Sequence, residues 1–114
     1  LKKLEKLNKT RKSIAKKYEK EIDLENKMPY DSNCSYHLYW ILVKNRAKFI
    51  KKMNENGIEV GIHYKPAHQM SLYRNQIKLP VTEEIGKKIV SLPIHPNLTN
   101  SDVDKIIKSV NKYA

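Results

Sequence analysis

Between His63 and Arg74 the chain gathers six side chains able to hold an anion, His63, Tyr64, Lys65, His68, Tyr73 and Arg74, within twelve residues. Imidazole and phenol tips hydrogen-bond carboxylate or hydroxyl groups, while Lys65 and Arg74 suit phosphate, one as a point charge and the other as a planar fork. The plainer reading of the same stretch is a surface loop stiffened by Pro66. The sequence speaks against three other chemistries. Cys34 and His37 stand three apart with His63, His68 and His95 downstream, but structural zinc takes four ligands, usually with paired cysteines. His63 and His68 are also separated by a proline rather than set on one helix. Nothing in the sequence fixes a geometry between a Cys34 nucleophile and a histidine base, and a lone cysteine commonly serves as a small apolar residue. With only Gly57, Gly61 and Gly86 present, no glycine-rich phosphate loop can be drawn.

The elements that must position this loop are legible from periodicity. Leu1, Leu4, Leu7, Ile14, Tyr18 and Ile22 approximate one face of a helix, and no capping residue precedes Leu1, so the helix is expected to continue from something upstream. Residues 26 to 35 carry turn formers and no period, which predicts a loop. Tyr36 to Val43 is a nearly continuous apolar run and predicts a central strand buried on both faces, with His37 a satisfied histidine inside it. Asn45 caps a helix with Ala47, Phe49, Ile50 and Met53 turned inward, and Gly57 fits the left-handed position that ends it. Ile58, Val60 and Ile62 alternate as a second strand. After the histidine loop, Ser71 to Asn75 suit one helical turn, and Pro80 and Thr82, with Glu83 and Glu84 behind them, start a helix through about Lys88. Ile89 to Leu92 form a brief strand. A cap among Thr99, Asn100 and Ser101 opens the last helix, with Val103, Ile106, Ile107 and Val110 buried. The expected architecture is α+β, an α/β two-layer arrangement in which a small sheet of about three strands is flanked by helices.

At 114 residues and 39% hydrophobic content the chain suits one folded domain with a single core. Its longest apolar run is far short of the roughly 20 residues a membrane helix needs, and one cysteine closes no intramolecular disulfide, so a soluble cytoplasmic protein is expected. A net charge of +11 raises nucleic acid or an anionic substrate as partner. The positives are 20 Lys against 3 Arg, whereas base-reading surfaces favour arginine. A basic module that docks nucleic acid or an acidic partner through the lysine-rich first helix stands as the second reading, tested by the salt dependence of binding.

Ordered blocks carry a more specific resemblance. Ser35 to Tyr39, Asn45-Arg46, the run Asn56 to His68 (NGIEVGIHYKPAH), Leu79 to Glu83 (LPVTE) and Ser91 to Pro96 (SLPIHP) resemble the C-terminal part of the DegT/DnrJ/StrS family of pyridoxal-phosphate-dependent sugar aminotransferases of fold type I. Leu4 to Tyr18 is similar to the helix that links that family's cofactor domain to its small domain. The resemblance implies a linking helix over residues 1–25 and a small domain over 26–114, like the small domain of fold type I enzymes. It further implies transfer of an amino group from L-glutamate to a nucleotide-linked ketosugar, in a cytoplasmic homodimer serving aminosugar or cell-surface polysaccharide synthesis. Pyridoxal 5'-phosphate and its lysine are then expected upstream, with no catalytic residue in this piece and no activity from it alone. By the same resemblance His63 faces the donor carboxylate, Tyr64, His68 and Tyr73 meet the sugar or wall its pocket, and Lys65 and Arg74 meet the nucleotide diphosphate. Ala67 departs from the family's frequent Pro-Leu-His.

Overall fold

The computed structural model of the chain describes residues 2–71 and 78–114. Helix α1 spans Lys2–Glu21, strand β1 Tyr39–Leu42, helix α2 Arg46–Glu55, a 3-10 turn Ala67–Gln69, helix α3 Pro80–Lys88, strand β2 Ile89–Leu92 and helix α4 Asn100–Tyr113. The two strands pair antiparallel, Tyr39 opposite Leu92 and Leu42 opposite Ile89. Each is extended by one bridge on its outer side, Lys27 with Ile41 and Gly61 with Ser91.

The architecture is therefore helices on a small antiparallel sheet, as expected, but the described residues form a sheet of two strands and not three. The segment expected as the further strand, Ile58 to Ile62, reaches the sheet only through Gly61, which exchanges N–H···O bonds with Ser91 at 3.0 and 2.8 Å. Its apolar alternation finds no single buried face, since Ile58 is buried and Ile62 exposed. Pairing register is firmly specified only where one face is buried.

Strand β1 starts three residues later than its apolar run suggests. Tyr36 has a φ of 54°, a left-handed conformation uncommon outside glycine, and it is held there by its own hydroxyl, which donates to Pro29 O at 2.8 Å and accepts from Asp31 N. The chain enters the sheet only beyond that corner, so His37 lies exposed outside the strand rather than buried within it. Nor is the strand buried on both faces: Tyr39 and Ile41 are buried, Trp40 and Leu42 half-buried. It does lie between two neighbours, because Met28 N and Leu42 N close bonds across its free edge to Trp40 O and Asn26 O, both at 3.0 Å.

Capping behaves as the sequence dictates. The Asn45 side chain accepts from Lys48 N at 3.2 Å, Gly57 takes a φ of 73° after α2, and Thr99 with Asp102 forms a reciprocal capping box on α4. The α4 residues Val103, Ile106, Ile107 and Val110 are all buried. In α2 Phe49 and Met53 are buried, Ile50 is half-buried, and Ala47 faces solvent instead of the core. Along α1 the apolar face divides: Ile14, Ala15 and Tyr18 enter the core, followed by Ile22, while Leu4 remains 53% exposed. Among the described residues, no helix is long and apolar enough to cross a membrane.

Candidate functional site

The loop from Gly61 to Met70 is pinned to the body at three places, two of which need a glycine. At the first, Gly61 is bonded to β2, and the His63 ring folds back over it so closely that a β-carbon on Gly61 would stand 2.7 Å from His63 Cε1 and 3.2 Å from Nδ1. At the second, the Pro66 ring packs on Gly86, whose added β-carbon would meet Pro66 Cγ at 2.7 Å. The third is polar: Gln69 Nε2 donates to Glu83 Oε1 at 3.2 Å, and His68 Nε2 stands 3.5 Å from the same oxygen.

Helix α3 supplies two of these three anchors and buries no residue of its own. It is tied to the body through its backbone, since Arg46 donates from Nη1 to Gly86 O and Val43 N bonds Lys88 O at 3.0 Å. An exposed helix held in this way serves as a rail for the loop laid along it.

The predicted site residues separate along this loop. His63 is half-buried and sits edge-on to Tyr64 with ring centroids 4.9 Å apart. Its Nδ1 is buried and has no hydrogen-bond partner among the described residues. An unpaired buried polar atom costs about 1–3 kcal/mol. Tyr64 is 66% exposed and Lys65 is exposed. The His68 side chain is 11% exposed and faces Glu83. Tyr73 and Arg74 lie outside the described residues. Apart from this loop, His95 lines a cleft of about 470 Å³ with Gly57, Glu59, Asp102 and Lys105.

Four residues that matter here carry no chemical signature: Gly61, Gly86, Gln69 and Glu83. Gly86 did leave a trace, because an interior helical glycine costs about 1 kcal/mol relative to alanine and calls for a packing reason. Glu83 reads from sequence as a carboxylate suited to a helix N-terminus, and only its contacts reveal a second task.

With this geometry in place, comparison with known proteins settles the class. The DegT/DnrJ/EryC1/StrS aminotransferase family matches residues 1–111, and the chain belongs to that family. Its fold superposes on an aminotransferase, TlmJ, from Streptoalloteichus hindustanus with a TM-score of 0.87 at 24% identity, over 97% of this chain and 32% of that one. A putative sugar aminotransferase from Streptococcus pneumoniae gives 0.89 at 24% identity over 98% and 32%. An aminotransferase of Helicobacter pylori involved in the biosynthesis of pseudoaminic acid gives 0.81 at 29% identity over 93% and 32%. The chain thus spans about a third of the length of the structures it matches. The reading as a basic module for nucleic acid or an acidic partner gains no support from these matches.

The family implies pyridoxal phosphate, and the Streptococcus pneumoniae protein is known in PLP and PMP forms. The described residues do not form a cradle for that cofactor. The cleft lined by His95 offers Lys105 but sets two carboxylates, Glu59 and Asp102, where a phosphate would need donors. Asp102 is committed to the α4 cap, and the backbone N–H groups of Gly57 and Ile58 are spent on Asn54 O and Met53 O.

Proposed function

We propose that this chain is the substrate-binding small domain of a pyridoxal-phosphate-dependent sugar aminotransferase that moves the amino group of L-glutamate to a nucleotide-linked ketosugar, in the synthesis of aminosugars or cell-surface polysaccharide. Residues 1–25 link it to the domain that carries the cofactor and its lysine, residues 26–114 form the small domain, and the intact enzyme is a cytoplasmic homodimer. The cofactor supplies an electron sink for labilising the amino acid when bound. This chain's residues bind and orient what reaches it.

The observation that carries the reading is the His63 imidazole, half-buried on the loop and packed on Gly61, in a chain matched to the family over residues 1–111. Packing on Gly61 orders the half-buried ring, so a donor carboxylate reaching its exposed part gains a hydrogen bond without first ordering a side chain. Tyr64 and His68 meet the sugar or wall its pocket, and Tyr73 is assigned the same role. Lys65 and Arg74 meet the diphosphate, where cationic donors pair with phosphate oxygens.

The test is His63→Ala in the full-length enzyme. Loss of one hydrogen bond to a charged group costs about 1.5–3 kcal/mol, so kcat/KM for L-glutamate should fall about tenfold to a hundredfold. Cofactor affinity, followed by its absorbance, should stay unchanged. An unaltered kcat/KM for glutamate would remove His63 from the donor site.

A further inference from the structure

The contact between loop and α3 has a feature that substrate binding by itself does not require. Glu83 and Gly86 are three apart on α3 and so share one face. Gly86 receives Pro66, and one turn earlier the Glu83 carboxylate receives Gln69 Nε2 at 3.2 Å and faces His68 Nε2 at 3.5 Å. That imidazole nitrogen is buried and has no hydrogen-bond partner among the described residues, so a slight closure of the pair would satisfy it. Burial pushes the Glu83 carboxyl up, but the Gln69 amide and the His68 imidazole beside it outweigh this and hold it below the usual carboxylate range. Glu83 is accordingly an anion at neutral pH, and it presents an acceptor to whichever ring nitrogen faces it.

A neutral imidazole has one N–H and one acceptor nitrogen, and the partner of the first decides the identity of the second. We infer that Glu83 is a positioning residue: its carboxylate holds the proton of His68 on Nε2, making Nδ1 the acceptor offered to substrate, and through Gln69 it fixes the turn that carries the ring. The inference rests on the aminotransferase reading of the loop, and it assigns Glu83 a role separate from stabilising the first turn of α3. A substrate hydroxyl donating to His68 would then meet a lone pair rather than a competing N–H.

The experiment uses the full-length enzyme and the variants Glu83→Ala, Glu83→Gln, His68→Ala and the double variant Glu83→Ala/His68→Ala. In wild type, 15N NMR of labelled histidine should find the neutral His68 ring as the Nε2–H tautomer. Glu83→Ala should mix the two tautomers and speed hydrogen exchange at the Gln69 and Met70 amides about tenfold. Glu83→Gln keeps an acceptor for Gln69 and should mix the tautomers while leaving exchange near wild type. For the nucleotide-linked ketosugar that wild type turns over, Glu83→Ala should raise KM about tenfold, and it should add nothing on the His68→Ala background, since a residue acting through another is non-additive with it.

An unchanged tautomer in Glu83→Ala, or KM increases that multiply in the double variant, would overturn the inference. Tautomer and exchange need no substrate. Wild-type enzyme inert toward every ketosugar tried would therefore defeat the aminotransferase reading, while those two measurements still decide the place of Glu83.

Discussion

Gly61 lets the His63 ring lie where a β-carbon would otherwise stand, and that steric fact separates folding from function at a single residue. In Gly61→Ala the new methyl would sit 2.7 Å from His63 Cε1, the far end of a side chain, so the imidazole should be pushed off its packed position while the backbone stays. Gly61 does not have a left-handed φ, and replacing glycine by alanine at a compatible position stabilises by about 0.4–1 kcal/mol through the unfolded chain. The Tm of Gly61→Ala should therefore hold or rise while kcat/KM for L-glutamate falls about tenfold, toward the value for His63→Ala. The variant should add little when combined with His63→Ala, because both act on one ring. A fall in Tm accompanied by equal loss toward both substrates would instead mean that the loop itself had been damaged.

At the level of elements, ends proved easier to read than edges. Asn45, Gly57 and Thr99 with Asp102 mark their boundaries by local chemistry that no distant partner alters, and the last of these is directly measurable. Thr99 Oγ1 accepts from Asp102 N at 3.1 Å, and Asp102 Oδ2 accepts from Thr99 N at 3.0 Å. Thr99→Ala should cost about 1 kcal/mol in urea unfolding with an unchanged m-value; a loss below a few tenths would show that α4 is held by its buried face alone. Strands resisted the same treatment because pairing is set by partners far along the chain. The alternation of Ile58, Val60 and Ile62 is strand-like, yet only Gly61 meets Ser91. The apolar run from Tyr36 conceals a left-handed corner at its first residue. The site divides along the same line. His63, Tyr64, Lys65 and His68 were visible as residue types within one loop, whereas Glu83 and Gly86 belong to it only because α3 returns alongside, a contact that periodicity does not encode.

Across the whole molecule, three tyrosines reinforce the ties between the sheet and the segments around it. Tyr18, Tyr36 and Tyr39 are fully buried, and the rings of Tyr18 and Tyr39 meet edge-on at 5.2 Å. Their hydroxyls donate to Pro93 O at 2.6 Å, Pro29 O at 2.8 Å and Met28 O at 2.8 Å respectively, joining α1 to the exit of β2 and the 28–29 segment to β1. Burial pushes all three phenols up from their ordinary value, since a phenolate is disfavoured in the core. A folded value above the unfolded one gives stability that is complete below about pH 10 and is lost as pH rises beyond it, because the unfolded chain releases the proton first. Lysine deprotonation over the same range works mostly in the opposite direction, reducing a net charge of +11 and its self-repulsion. Half-buried Lys17, its amine raised by the hydrogen bond to Asp104, adds only a small screened loss. Net destabilisation above pH 10 would thus carry the signature of the core phenols. Tm should fall steeply there, the share of phenolate absorbance due to the three core tyrosines should appear only with unfolding, and Tyr18→Phe should lower Tm near neutrality while flattening the alkaline slope. If all seven tyrosines ionised while the fold remained intact, these hydroxyls would not be the ties that hold its layers together.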